Sequence, residues 1–291
     1  MGEEQMMKLM KEFVALVPGE VPGFDTQGGV VERANTRWGA SIRLLQGLSR
    51  KGQEREKDGH EAHIRIWTSL LPDRNAAYQI AVLYTTTQRA PIGEPGMPEG
   101  SWSGLPIGEK VWSRVPQSGE APVADLTVWD ERLAIHVSVE YHFVSRWVKS
   151  VPISQSDLEL GEMVARLILA KANLALLGWR DSPKRRLVVN GAPLEARRVQ
   201  EKSILVPLKA VVERLGGKID RKAGVVYCSW RGQKVAFPLG ARVVLVGGRK
   251  VPLSLPILYD GHEAWVDGEE LARALQLEVQ KKGQTIALIG R

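Results

Sequence analysis

A short apolar strand that runs straight into a short helix occurs twice in this 291-residue chain, and no other feature limits its fold so tightly. Ser203 to Asp220 reads SILVPLKAVVERLGGKID, and Glu263 to Gln280 reads EAWVDGEELARALQLEVQ. In the first copy Ile204, Leu205 and Val206 form an apolar strand. Pro207 then fixes φ at the first helical turn, where its missing N–H costs nothing. Val211, Val212 and Leu215 make one apolar face, and Gly216 supplies the left-handed helix end. Leu205 aligns with Trp265, Val206 with Val266, Val211 with Leu271, Leu215 with Leu275 and Ile219 with Val279. Each copy is preceded by a hairpin signal between apolar residues, Asn190-Gly191 in one case and Gly247-Gly248 in the other. The expected architecture of residues 183–291 is one domain of two ββαββ-like repeats, with strands wrapped around short helices. Two units are too few for a solenoid.

These residues also carry a resemblance. Val189-Asn190-Gly191 at the hairpin, Leu205-Val206-Pro207-Leu208-Lys209 at the helix start and Leu215-Gly216-Gly217 at its end are its core. With the strand pair around Val225–Trp230 and Gln233–Pro238, they resemble the N-terminal stalk domain of copper amine oxidases, over about a third of the chain. The second copy departs from the pattern, with Asp267-Gly268 in place of Pro-Leu and Gln276 in place of the first Gly. In those oxidases the stalk holds neither the copper nor the modified-tyrosine cofactor. The resemblance therefore implies a non-catalytic module and no cofactor. It also implies export to a cell-surface or cell-wall setting in a bacterium of Gram-positive type.

The N-terminus, MGEEQMMKLMKEF, has acids where a signal peptide has bases, so export carries the expectation of a targeting segment already removed. The lone Cys228 rules out an internal disulfide and leaves the compartment open. Charge divides the chain unevenly. Residues 1–182 carry 20 Lys+Arg against 23 Asp+Glu, whereas 183–291 carry 20 against 10. A basic half suits an anionic partner, such as a cell-wall polymer or another protein subunit. Lys184, Arg185, Arg186, Arg197, Arg198, Arg249 and Lys250 are the candidate contacts. Nucleic acid is the less favoured partner, no run is long enough to span a membrane, and exposed strand edges offer a route to a homo-oligomer.

Residues 1–182 read as a separate α+β domain of unknown type, an antiparallel sheet with one face covered by helices. Met6, Leu9, Met10, Phe13 and Leu16 mark an amphipathic helix whose methionines belong to the core. Strands are expected in Val30–Leu48, Ala62–Leu71, Lys110–Val115 and Asp125–Tyr141, the last broken by a tight turn at Asp130-Glu131-Arg132. Ala76–Thr87 is rich in β-formers and reads as a further strand, joined to the one before it by a turn at Pro72–Asn75. Ser49–Gly59 reads as a charged, solvated turn. Ser156 and Glu159 form a capping box for a helix that Gly178 ends. The polar stretch Arg180–Arg186 marks the boundary, giving domains 1–182 and 183–291.

No catalytic constellation emerges. His60-Glu61-Ala62-His63 is not H-E-x-x-H, because its second His comes one residue early. His136 and His142 are six residues apart on one strand, about 20 Å at 3.3 Å per residue, too far to share a metal. Cys228 sits in an apolar strand with no His near it in sequence. No G-x-S-x-G or P-loop is present. The chain holds nine tryptophans. Trp67, Trp102 and Trp112 are the candidate aromatic binding residues, with Trp102 in the Pro/Gly-rich loop Ala90–Gly108. These readings favour a non-enzymatic surface protein that binds, scaffolds or assembles through its basic half. The alternative is an extracellular solute- or glycan-binding domain of lipoprotein type that uses the tryptophans.

Overall fold

The computed structural model describes residues 3–50, 60–87, 97–117, 123–143, 153–199, 203–282 and 285–290. Most of the expected charged turn (51–59), the first part of the long loop (90–96) and the side chains of His60 and His142 lie outside the described residues. The fold is mixed α+β, with three mostly antiparallel sheets. The chain forms two compact units, Met1–Leu169 and Ala170–Arg291.

The first unit opens with α1 (Glu3–Leu9), which continues as a π-helical turn over Met10–Val14. Strands β1 (Phe24–Thr26), β2 (Val30–Thr36), β3 (Gly39–Arg50) and β4 (His60–Leu70) follow, then α2 (Arg74–Thr87). Next come β5 (Lys110–Arg114), β6 (Val123–Asp130) and β7 (Leu133–Phe143), and then α3 (Gln155–Leu176), whose residues from Ala170 onward belong to the second unit. The strands form one antiparallel sheet in the order β1-β3-β4-β7-β6-β5, with β2 also paired to β3.

Residues 76–87 are helix, not strand. Asp73 Oδ1 accepts the Ala76 N–H at 2.8 Å and so caps the helix, which makes 72–75 a helix start rather than a hairpin turn. Ala76, Ala77, Ile80 and Ala81 are buried at helical spacing. Packing of that face on the sheet overrides the β-preference of the Val, Tyr and Thr residues. The sheet consequently has helices on both faces rather than one. Tyr84 of α2 lies over His136, on one face of β7. Gly161 of α3 approaches Val139, on the other face. Ala134, His136 and Ser138 are therefore as buried as Leu133, Ile135 and Val137. The cap of α3 sits two residues earlier than the sequence pattern suggests: Ser154 Oγ accepts the Asp157 N–H at 3.3 Å, and the Asp157 carboxylate accepts the Ser154 N–H at 3.1 Å.

Ahead of its first strand the second unit has a short 3-10 turn, Trp179–Asp181. Strands β8 (Lys184–Val189), β9 (Ala192–Arg198) and β10 (Ile204–Pro207) lead to α4 (Leu208–Arg214). A five-stranded meander follows: β11 (Lys218–Lys222), β12 (Val225–Trp230), β13 (Gln233–Pro238), β14 (Val243–Val246) and β15 (Arg249–Pro252). The unit closes with β16 (Leu258–Tyr259), β17 (Ala264–Asp267), α5 (Gly268–Leu275), β18 (Glu278–Lys282) and β19 (Thr285–Ile289). The other sheet runs β16-β17-β10-β9-β8-β19-β18, and its single parallel pair is β8 with β19.

The two strand–helix stretches meet directly. β10 and β17 pair antiparallel, with Leu205 opposite Asp267, Val206 opposite Val266 and Pro207 opposite Trp265. Each helix is held at its N-terminus. Asp267 caps its own helix by accepting the Glu269 and Glu270 N–H groups, and Glu263 Oε1 accepts the Lys209 N–H of α4 at 3.1 Å. Gly216, at φ +78°, ends α4 in the left-handed region. At the corresponding end of α5, Gln276 takes φ +55° without the help of glycine. Val211, Val212, Leu271 and Leu275 are fully buried or nearly so, and each contributes about 1.5–3 kcal/mol of transfer free energy. The hairpin that follows each helix pairs away from that helix's own N-terminal hairpin. β18–β19 joins β8–β9, whereas β11–β12 joins β13, β14 and β15.

Candidate binding face

Strand alternation in the meander puts Ile219, Val226, Cys228, Val235, Phe237 and Val244 on one face. All but Ile219 of these are buried. The other face is open. Its central row, read across the strands by register, is Asp220, Tyr227, Ala236, Leu245 and Lys250. The row beside it is Lys218, Ser229 and Lys234. Tyr227 is 43% exposed, although large apolar side chains elsewhere in this sheet are mostly covered. Apart from Lys250, these residues together with Gly247 and Gly248 at the β14–β15 turn line a hollow of about 720 Å³. Lys218, Lys222, Lys234 and Lys250 are all exposed, and among the described residues none is held in an ion pair. Adjacent strands are about 4.8 Å apart, so Lys218 and Lys234 stand about 10 Å apart across the hollow.

Cys228 lies beneath this face. Burial, with a smaller contribution from the Glu263 carboxylate, pushes its thiol up to about 12. A thiol held that high is neutral and no nucleophile at physiological pH. Glu263 and Asp267, the two capping carboxylates, are both raised above the ordinary carboxylate range by burial, against the opposing pull of the backbone N–H groups they accept.

The basic residues singled out from sequence do not form one cluster. Lys184, Arg185, Arg186, Arg197 and Arg198 lie on the β8–β9 hairpin, and Arg249 and Lys250 lie on β15 of the other sheet. The hairpin group is partly self-neutralised. Glu195 binds Lys184 at 2.7 Å and Arg197 at 3.0 Å, and Lys184 leads in holding its carboxyl below the usual range. Arg197 also stacks over Trp179 and donates to the Ser182 carbonyl. Sequence reasoning missed Lys218, Lys222, Lys234, Tyr227 and Leu245. The period-two pattern of Val225–Trp230 and its neighbours would have placed Tyr227 on the same face as the lysines.

The three candidate tryptophans are not gathered either. Trp112 is 8% exposed and packs on Tyr78 of α2. Trp67 packs on the same side of the sheet, 5.3 Å from the His136 ring. Trp102 lies on the opposite side, against Gly161 of α3. The sheet therefore separates Trp102 from the other two. The loop around Trp102 is also fastened down. Glu162 accepts the Ser103 N–H at 2.9 Å, and Arg166 donates to the Leu105 and Pro106 carbonyls at 3.1 and 2.6 Å.

One arrangement in the first unit has the order of a nucleophile, a base and an acid. Thr127 Oγ1 is 2.9 Å from His136 Nδ1, and His136 Nε2 is 3.4 Å from Asp125 Oδ1. Thr127 and His136 have no exposed surface, and Asp125 has 3%. Only the Thr127–His136 approach is a hydrogen bond, and with α2 and Trp67 laid over it the trio is buried away from any substrate. Among the described residues no group of three or more His, Cys, Asp or Glu could hold a metal ion, and no helix is long and apolar enough to cross a membrane.

Residues 188–289 match the family model of the copper amine oxidase N-terminal domain. That span runs from β8 to β19 and so includes both strand–helix stretches and the open face. The match is to the non-catalytic domain of those enzymes. No curated protein and no solved structure matches the chain.

Proposed function

We propose that the chain is a non-enzymatic, exported protein of the bacterial surface or cell wall, and that residues 183–291 serve it as a duplicated, stalk-like docking module for an anionic wall polymer. One observation carries this reading. Lys218, Lys222, Lys234 and Lys250 share one exposed face with no ion-pair partner among the described residues, and Asp220 is the single acid in its central row. Cations of one sign gathered on one face repel each other, and a polyanion relieves that repulsion on binding. The net basic charge of the unit steers the same partner towards it.

The test is co-sedimentation of the full chain with purified cell walls of Gram-positive type, before and after extraction of their anionic polymers. Binding should fall steeply with added salt, because exposed charges are screened within about 10 Å at 0.1 M. It should also fall when the four lysines are changed to Gln. Retention that ignores salt, or that survives polymer extraction undiminished, refutes the proposal.

A further inference from the structure

The hollow on the lysine face has a shape and a chemistry that a polymer backbone does not need. Its volume of about 720 Å³ is in the range of small-ligand sites. Its floor is Tyr227, Ala236 and Leu245. The backbone groups of β12 and β13 beneath it are engaged in the ladder with their neighbours. A peptide laid across this face would find no partners for its own N–H and C=O groups. A sugar would find few for its hydroxyls, because besides the two lysines the lining offers only Ser229, Asp220 and the Tyr227 hydroxyl. Asp220 is also partly used, its Oδ1 accepting the Arg221 N–H at 2.8 Å. A hydrocarbon chain needs no hydrogen bonds and gains by leaving water. Lys218 and Lys234 then stand beside it as two exposed point charges suited to a compact anion.

We infer that this hollow is a binding site for a single-chain anionic lipid. The hydrocarbon lies along Tyr227, Ala236 and Leu245, and the phosphate head pairs with Lys218 and Lys234. The inference uses the lysine face of the proposed function but does not require a wall polymer as partner. The concavity selects one free amphiphile rather than the flat surface of a bilayer.

Calorimetric titration of the full chain with dodecyl phosphate, kept below its micellar concentration, tests this. Dodecyl maltoside and inorganic phosphate serve as the neutral and chain-free probes. Dodecyl phosphate should bind one to one, at least tenfold tighter than the maltoside and at least a hundredfold tighter than inorganic phosphate. Ala236→Trp, which fills the floor from the solvent side, should weaken it at least tenfold. Lys218→Glu with Lys234→Glu should do the same while leaving the maltoside unchanged. Methyl shifts of Ala236 and Leu245 in the unaltered protein locate the ligand without relying on any variant. Equal affinity for the neutral amphiphile, equal affinity for inorganic phosphate, or a ligand that leaves both methyl signals unmoved overturns the inference. Salt-sensitive wall binding is read separately, so either proposal can fail while the other stands.

Discussion

Changing Arg166 to Met tests whether a buried charge fastens the long loop of the first unit to its helix. The Arg166 side chain is wholly buried, and Glu162 one turn earlier is nearly so. Arg166 Nη2 and Nε donate to Glu162 Oε1 at 2.6 and 3.2 Å, Nη2 also reaches the Leu105 carbonyl, and Nη1 reaches that of Pro106. Methionine preserves much of the stem volume but removes every donor. Glu162 is then left charged and buried with only Ser103 to satisfy it, the Pro106 carbonyl loses its donor, and the Leu105 carbonyl keeps only the Ser101 hydroxyl. Breaking a buried pair from one side costs about 3–5 kcal/mol, more than the pair itself adds to stability. The double variant Glu162→Gln with Arg166→Met removes the stranded charge while keeping an acceptor for the Ser103 N–H. It should recover at least about 1 kcal/mol relative to additivity, well outside the few tenths expected of independent sites. Hydrogen exchange at increasing urea reads the first unit by itself, so a second transition elsewhere in the chain does not confuse the result. Amides of 99–106 and of the middle of α3 should lose protection together. A cost below about 1 kcal/mol for Arg166→Met, or strict additivity of the pair, would show that the loop is held by something else.

Other expectations follow from single contacts. Gly161→Ala puts a methyl 2.6 Å from Val139 Cγ2 and 2.9 Å from the Trp102 ring; overpacking of this kind should cost about 1–3 kcal/mol in the same exchange experiment. Glu263 and Asp267 have folded pKa values raised by burial, so the folded state holds more protons than the unfolded one between the ordinary carboxylate range and the raised values. Stability of the second unit should therefore rise on acidification through that window and fall as pH increases through it, the reverse of a salt-bridged acid. Glu263→Gln should flatten that slope, and an unchanged slope in chemical denaturation across pH would reject the assignment. Cys228, with its thiol near pKa 12, should resist a disulfide-exchange reagent at pH 8 in the folded protein and react fully in denaturant.

Some of this structure is legible in the sequence, and the reasons differ from place to place. Leu205-Val206-Pro207 and Leu215-Gly216 announce a strand, a helix and a stop because each acts locally, through proline geometry and glycine's left-handed freedom. The same rules miss Gln276, which takes a left-handed φ although no local preference requires it. They also fail at 76–87. There the residues favour a strand by propensity, while Asp73 and the spacing of Ala76, Ala77, Ile80 and Ala81 favour a helix. Tertiary packing decided between them, and one wrong element reassigned a whole sheet face. Trp67 could then no longer be read as an open binding platform, because it packs beside His136 under that helix.

Charge misleads for a related reason. A count of Lys and Arg in 183–291 correctly marks a basic unit, yet it weights Arg197 and Lys218 alike. Arg197 is spent on Glu195, Trp179 and the Ser182 carbonyl, whereas Lys218 faces solvent beside Tyr227. What separates them is the neighbour across the strand, and that neighbour is set by register. Glu195 lies on the same hairpin and pairs with Lys184 and Arg197 at short range. The meander brings Lys218, Lys234 and Lys250 together from three strands with only Asp220 among them. The basic character of a domain is thus a weak guide to where it binds. The informative cations are those that the fold has gathered and left without a counter-charge, around a surface it has left apolar.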